Sequence, residues 1–215
     1  MNEPSRGLER LVWGGLALAI VGVVVAFLLA PPRPEPGPAT PLPILGQVAD
    51  FTLTNQSGRA VSFSNLLGQV WVADVIFTRC PGSCLTITRR MGVLQAALPR
   101  EQPVKLVSLT ADPAFDTPAV LKQYASRFGA NPARWEFLTG PREQIYRLAT
   151  RQLLLVVVEK PPDERTTPDE LFLHSTKFIL VDQQGRLRGI YDGEAAASTP
   201  AIVRAVTQLL QEKGT

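Results

Sequence analysis

Residues that bind soft metal ions or exchange electrons are scarce in this chain of 215 residues. It contains two cysteines, one histidine and two methionines. The cysteines, Cys80 and Cys84, are not part of a Cys-x-x-Cys-His sequence, which excludes attachment of a c-type haem. The methionines, Met1 and Met91, are too few for a methionine-rich metal site. Two cysteines and one histidine are also fewer ligands than a structural zinc ion takes.

A large excess of charge is absent as well. The formal net charge is only +3, and no run of lysine and arginine is interleaved with aromatic residues. Domains that bind nucleic acid carry such basic stripes because they neutralise phosphates. We therefore expect no nucleic acid among the partners of this protein.

One segment near the N-terminus lacks charge altogether. Residues 11–30 contain no charged side chain, and a helix of that length spans about 30 Å, the thickness of the hydrocarbon core of a bilayer. The stretch is long for the apolar region of a cleaved signal peptide, and Pro31 follows it directly. The sequence therefore predicts a transmembrane anchor at 11–30 that stays on the chain.

The charges around this segment predict its orientation. Arg6 and Arg10 precede it, whereas only Arg33 follows closely, and positive residues favour the cytoplasmic side of a membrane. Residues 1–10 are therefore expected in the cytoplasm. The chain is expected to be a single-pass protein of the cytoplasmic (inner) membrane, with its remaining part facing the periplasm.

Proline is concentrated directly after the predicted anchor. Residues 31–43, PPRPEPGPATPLP, are about half proline. Proline fixes φ and cannot donate a hydrogen bond to a helix or a sheet, so this stretch is expected to be an extended, semi-rigid linker. Residues 44–215 follow it as one domain, which is long enough to bury a hydrophobic core.

The predicted domain alternates between the hydrophobic periods of strands and helices. Residues 70–77 form an almost continuous apolar run, typical of a strand covered on both faces. Further strands are predicted at 105–110, 135–140 and 153–159, hairpins at 49–66 and 177–192, and helices at 86–98, 116–129, 141–151 and 198–213. This order predicts an α/β fold with a mixed, mostly parallel sheet flanked by helices.

The two cysteines lie between the buried strand and the helix that follows it. A helix N-terminus there favours thiolate over thiol. The spacing of four residues is expected to put both side chains on one face of the helix, with Cβ atoms about 5–6 Å apart, whereas a disulfide needs about 3.8 Å. A metal ion bound by both sulfurs tolerates the wider gap. The spacing favours a metal or redox site, and a structural or reversible disulfide between Cys80 and Cys84 stays open.

The histidine, His174, precedes the apolar stretch KFILVD. If that strand runs antiparallel to strand 70–77, its beginning lies at the edge of the sheet where the cysteine strand ends. His174 would then lie beside Cys80 and Cys84. Two thiolates and one imidazole suit copper, because thiolates favour Cu(I) and an added imidazole makes Cu(II) tolerable as well.

Three motifs resemble the SCO/SenC family. They are FTRCPGSC after a buried strand, TADPAFDTP at 110–118 after the next strand, and HSTKFILVD before a late strand, in this order behind one predicted anchor. The resemblance covers residues 45–212 and implies a thioredoxin-like fold in which Cys80, Cys84 and His174 bind copper. It also implies a copper chaperone that helps to assemble the dinuclear CuA centre of cytochrome c oxidase. The implied partners are the CuA-bearing subunit of the oxidase and another copper chaperone or a thiol reductant.

Two details of the motifs bear on the site. The family commonly has an acidic residue between its cysteines and a proline after the second, where this chain has Gly82-Ser83 and Leu85. This departure concerns the tuning of the site and not its ligands.

In the second motif, Asp112 and Asp116 are expected to form a turn and cap the following helix, and a role beside the site or towards a partner is the alternative. Arg79, next to Cys80, could hold the thiolates charged or be solvated.

Other functions remain in competition with a copper chaperone, which would not be a turnover enzyme. A thiol–disulfide oxidoreductase that reduces cysteines of an oxidase subunit would use Cys80 and Cys84 as its redox pair, without the histidine. A peroxiredoxin-like peroxidase is disfavoured, because Phe77 stands where such enzymes have threonine. A metal-free binding module with a thioredoxin-like fold is the remaining alternative.

Overall fold

The computed structural model of the protein describes residues 6–29, 40–80, 82–165 and 171–212. The chain divides into two units, residues 1–40 and residues 41–215. The described part of the first unit contains one helix, α1 (Arg6–Leu29).

The structure does not support the transmembrane anchor predicted at 11–30. Among the described residues, no helix is both long enough and apolar enough to cross a membrane. Most of the predicted linker at 31–43 lies outside the described residues.

The second unit contains ten strands and four helices in its described part. The strands are β1 (Gly46–Gln47), β2 (Thr52–Asn55), β3 (Ala60–Ser62), β4 (Val70–Ile76), β5 (Val104–Thr110), β6 (Trp135–Thr139), β7 (Val157–Glu159), β8 (Phe172–His174), β9 (Lys177–Val181) and β10 (Arg186–Asp192). The helices are α2 (Ser83–Ala97), α3 (Pro118–Arg127), α4 (Arg142–Tyr146) and α5 (Ser198–Gln211).

Eight strands form one mixed sheet in the order β1-β10-β9-β4-β5-β6-β2-β3. The central strands β4, β5 and β6 are parallel, and the helices α2 and α3 connect them. All other neighbours pair antiparallel. The prediction of a mixed sheet flanked by helices is confirmed, and the prediction that it is mostly parallel is wrong. The hairpins β9–β10 and β2–β3 are antiparallel within themselves, and each also meets the central strands in the antiparallel direction.

Burial explains why β4 lies in the middle of the sheet. All seven of its residues are buried, which fits the continuous apolar run predicted as a strand covered on both faces. The start of α3 also follows the prediction, since the Thr117 hydroxyl accepts a hydrogen bond from the Val120 N–H at 3.4 Å. Gly129, just past the end of this helix, has a φ of +65°, which glycine adopts without strain.

The strand predicted at 153–159 is shorter than expected. Helix α4 continues into a π-helical turn at Arg147–Gln152, and Leu154 follows with a φ of +57°. Only Val157–Glu159 forms a strand, and it pairs with β8 in a separate two-stranded sheet. The apolar residues of this stretch therefore follow the end of a helix and form one strand of the small second sheet. They do not form a strand of the eight-stranded sheet.

Candidate metal centre

The two cysteines lie on different local structures. Strand β4 ends at Ile76 and α2 begins at Ser83, so Cys80 lies in the connecting loop and Cys84 in the first turn of the helix. The expectation that both side chains share one helical face is therefore wrong, because the helix begins only after the first cysteine. Both are free thiols, with Cys84 buried and Cys80 partly buried.

The direction of strand β9 brings His174 to the same place. Strands β4 and β9 are antiparallel, with Ala73 opposite Ile179. The start of β9 therefore lies at the edge where β4 ends, as the sequence predicts. His174 itself ends the short strand β8, just before β9.

The three side chains converge on one point. The two sulfurs and one imidazole nitrogen all lie within 4.8 Å of one another. Cys84 Sγ is 3.0 Å from His174 Nε2. Two thiolates on one ion, each at about 2.3 Å, can be at most about 4.6 Å apart, so a small rotation of one side chain would bring all three atoms into ligand range. The donor set of two sulfurs and one imidazole suits a soft ion such as copper.

The imidazole is oriented by its neighbours. His174 Nδ1 lies 3.1 Å from the Ser175 carbonyl oxygen, which can only accept, so Nδ1 carries the proton in this contact. That leaves the lone pair of Nε2 directed at the sulfurs, as in many metal sites. The ring of Phe77 stands edge-on to the imidazole at a centroid distance of 5.6 Å and to Phe172 at 5.2 Å.

Hydrogen bonds and burial separate the acidities of the two thiols. A hydrogen bond from Cys84, aided by the backbone N–H groups of Gly82 and Cys84, lowers the pKa of Cys80 to about 4. Burial, together with the hydrogen bond to Cys80 and its charge, raises the pKa of Cys84. Near neutral pH the metal-free pair therefore holds one thiolate, on Cys80, and one thiol, on Cys84.

Position 82 contributes to this arrangement through its backbone. The N–H of Gly82 stabilises the Cys80 thiolate, and a Cβ at this position would meet open space. Every residue except proline has a backbone N–H, so this contribution does not depend on the side chain at position 82. The departure from the family pattern at Gly82-Ser83 has no structural explanation.

The two aspartates of the second motif do not have the capping role expected for them. Thr117 caps α3, whereas the Asp116 carboxyl accepts hydrogen bonds from the Thr78 hydroxyl at 2.5 Å and the Thr78 N–H at 3.1 Å. Asp112 pairs with Arg79 at 2.5 Å. The side chains of both aspartates thus bind the two residues that precede Cys80. Arg79 is held by this ion pair and is not simply solvated.

A buried carboxyl, Asp74, lies on the same central strand and was missed by sequence reasoning. It is fully buried, and neither of its oxygens has a hydrogen-bond partner among the described residues. Burial raises the pKa of Asp74 to about 7, and its charge also acts on Cys84. The available signal was a single acidic residue within the apolar run VWVADVIF.

Comparison with known proteins relates this fold and this site to a family. The model of the SCO1/SenC family matches residues 45–211. The SCO1 protein homolog of Bacillus subtilis is 34% identical over 152 residues, which are 70% of this chain and 76% of that protein. A putative copper-binding protein of Stutzerimonas stutzeri is 35% identical over 174 residues, 80% of this chain and 81% of that protein.

A solved structure gives the same result. The structure of BsSco, described as a member of the Sco family of cytochrome c oxidase assembly proteins with a disulfide switch, superposes with a TM-score of 0.69 at 31% identity. It covers 81% of this chain, and this chain covers all of that one. The fold is the thioredoxin-like fold expected from the motifs, and the chain belongs to the SCO1/SenC family.

Proposed function

We propose that the protein is a copper-binding assembly factor for the CuA centre of cytochrome c oxidase, with Cys80, Cys84 and His174 as the ligands. The observation that carries this proposal is the convergence of two sulfurs and one imidazole nitrogen within 4.8 Å. The name of the Stutzerimonas stutzeri relative and the description of BsSco support the same conclusion.

The residues of the site have unequal roles in this proposal. Copper is the cargo, so the site must bind it firmly and also release it to another set of ligands. Cys84 is buried on α2, and His174 is fixed by Phe77 and the Ser175 carbonyl. Cys80 lies on a loop and is partly buried. We therefore assign Cys80 as the ligand that is exchanged first when a partner takes the ion.

A copper titration tests the proposal. The reduced full chain, titrated anaerobically with Cu(I) against a competing chelator, should bind one ion tightly. His174→Ala should weaken binding by at least about tenfold, because it removes one ligand. Leu173→Ala, at the exposed neighbouring position of β8, is the matched control and should bind as the wild type does. Equal affinity for the wild type and His174→Ala would remove the histidine from the site.

A second candidate function is thiol–disulfide exchange, favoured by the lowered pKa of Cys80 beside a protonated thiol. In this reaction the Cys80 thiolate attacks a disulfide of the target and one target sulfur leaves as a thiolate. Cys84 then loses its proton, attacks Cys80, and releases the second target thiol as the Cys80–Cys84 disulfide forms. Two electrons pass to the target, and an external thiol reductant must restore the pair.

A redox titration distinguishes this second function. The pair, equilibrated in mixtures of reduced and oxidised glutathione, should convert to the disulfide at a measurable potential, and the reduced protein should cleave the disulfide of a two-cysteine peptide. Cys84→Ser should stop at the mixed disulfide. A pair that stays reduced in fully oxidised glutathione would exclude exchange and leave the copper function untouched.

We also propose that the chain is attached to the cytoplasmic membrane with residues 44–215 in the periplasm. The support is the uncharged stretch at 11–30 and the excess of arginine before it. Membranes washed with alkaline carbonate should retain the full chain and release a chain that begins at residue 41. Recovery of the full chain in the soluble fraction would contradict the attachment. The proposed partners are the CuA-bearing subunit and a copper donor or thiol reductant.

A further inference from the structure

The loop between β5 and α3 binds the two residues that precede Cys80 through hydrogen bonds and an ion pair. Asp116 is fully buried, and it receives the hydroxyl and the N–H of Thr78 together with the hydroxyl of Thr110. The Thr110 hydroxyl in turn accepts from the Asp112 N–H at 2.9 Å. Thr78 is thus joined to the end of β5 through one carboxyl.

The next residue, Arg79, is held by an ion pair with the same loop. Asp112 pairs with Arg79 at 2.5 Å, and the guanidinium of Arg79 lies 4.2 Å from the centroid of the Phe115 ring. The side chain of Asp112 is 8% exposed and that of Arg79 is 39% exposed. Thr78 and Arg79 are therefore both held from the same loop, at the two positions directly before Cys80.

Cys80 depends on these contacts more than the other two candidate ligands do. Cys84 belongs to a helix and His174 to a strand, and regular backbone hydrogen bonds position both. Cys80 lies in the loop after β4, where its N–H donates to the Phe77 carbonyl at 3.2 Å. A loop residue keeps a fixed side-chain direction only if its neighbours are held.

We propose that Asp116, assisted by Asp112, is a positioning residue for Cys80. It holds Thr78 and Arg79 so that the Cys80 sulfur stays within 4.8 Å of the Cys84 sulfur and the His174 nitrogen. This inference rests on the copper function proposed above and adds residues that do not touch the metal ion. Helix capping, the role expected from the sequence, falls to Thr117 instead.

The decisive variant is Asp116→Asn. An asparagine keeps the shape but offers one acceptor oxygen in place of two, so its amide would face a donor in a buried place. Copper affinity of the full chain should fall by at least about tenfold, as is usual for residues that orient a metal ligand. In the Cys80→Ser background, Asp116→Asn should cause no further loss, because the ligand that it positions is already absent.

A matched control separates positioning from general loss of stability. Asp182 is also buried and hydrogen-bonded to arginines, but it follows β9 at the edge opposite to Cys80. Asp182→Asn should lower the free energy of unfolding and leave copper affinity unchanged. Loss of affinity equal to that of Asp116→Asn, or an undiminished effect of Asp116→Asn in the Cys80→Ser background, would overturn the proposal.

A measurement without copper makes the two proposals independent. Amide hydrogen exchange at Cys80, whose N–H donates to the Phe77 carbonyl at 3.2 Å, reports how firmly the loop before α2 is held. Exchange at Cys80 should be at least about tenfold faster in Asp116→Asn than in the wild type, and Asp182→Asn should leave it unchanged. A wild type that does not bind copper would end the proposed function, while this difference in exchange rate would still decide the role of Asp116. An unchanged exchange rate in Asp116→Asn would refute the positioning role.

Discussion

Cys84 Sγ lies 3.0 Å from His174 Nε2, although 90 residues separate the two positions in the chain. The contact exists because β4 and β9 are antiparallel neighbours, so the end of one and the start of the other share an edge of the sheet. The proton of a thiol that lies beside a thiolate and an imidazole can be replaced by a metal ion that all three groups bind. The following predictions test what this arrangement does.

Cys80 should be alkylated at unusually low pH. Its pKa is about 4, against about 8.5 for an ordinary cysteine, so iodoacetamide should modify it readily at pH 6 in the reduced, metal-free protein. Cys84 should stay unmodified there, because burial keeps it protonated. Peptide mass mapping after timed alkylation gives both rates. In Cys84→Ser the pH midpoint of Cys80 alkylation should move upward, because the hydrogen bond from the Cys84 thiol contributes most to lowering the pKa of Cys80. Equal rates for the two wild-type cysteines at pH 6 would contradict this assignment.

Asp74 should make stability depend on pH in a specific direction. Its pKa in the folded protein is about 7, above the ordinary value of 3.8, so the folded state holds a proton that the unfolded state loses first. The stabilising effect of that proton is complete below about pH 4 and is lost as the pH rises through about 7.

Relative to Asp74→Asn, the wild type should therefore lose up to about 4 kcal/mol of unfolding free energy across this range, at about 1.4 kcal/mol per pKa unit. Urea unfolding at a series of pH values measures it. Asp50→Asn, at an exposed position, is the control and should follow the wild type. Parallel pH profiles for the wild type and Asp74→Asn would show that the carboxyl does not keep its proton.

Phe77→Leu should weaken both copper binding and the fold. The Phe77 ring packs edge-on against the imidazole of His174 and against Phe172, and leucine fills part of the volume without holding the ring plane. We expect an affinity loss of about tenfold and a loss of stability of about 1.5 kcal/mol. The control is Phe137→Leu, a fully buried core position, where stability should fall and copper affinity should not. The same affinity loss in both variants would remove the orienting role of Phe77.

Arg188→Leu should unfold more easily without affecting the candidate metal centre. Arg188 is buried and pairs with Asp182 and Glu212, each at 2.8 Å, and it donates to the Leu42 carbonyl at 2.8 Å. Its removal leaves a buried carboxylate with one arginine fewer, which destabilises a protein by about 3–5 kcal/mol. Urea unfolding should show this loss, and a copper titration should give the wild-type affinity. Full stability in the variant would mean that Arg186 alone neutralises Asp182.

The ends of a helix could be predicted from the sequence where a single residue sets the backbone conformation. Thr117 and Gly129 mark the ends of α3 as predicted, because a side-chain acceptor and a residue with positive φ act within one turn of chain. The run at 153–159 was misjudged, because an apolar sequence does not show whether it will enter a sheet, end a helix or form an edge ribbon. That outcome depends on which surfaces the rest of the chain leaves open.

The amino-acid sequence by itself determined which atoms are available as ligands, since the chain holds two cysteines and one histidine. It also determined that a buried strand precedes the cysteines, because the run at 70–77 is apolar on both faces. The tertiary structure alone decided that Cys80 stands outside the helix and that Asp112 and Asp116 bind the loop before it. It also decided that the Asp74 carboxyl is buried with no hydrogen-bond partner in the part of the chain that the structure describes. These relationships join separate strands and loops, and their partners are set by how the sheet and its helices pack, which no local pattern of residues records.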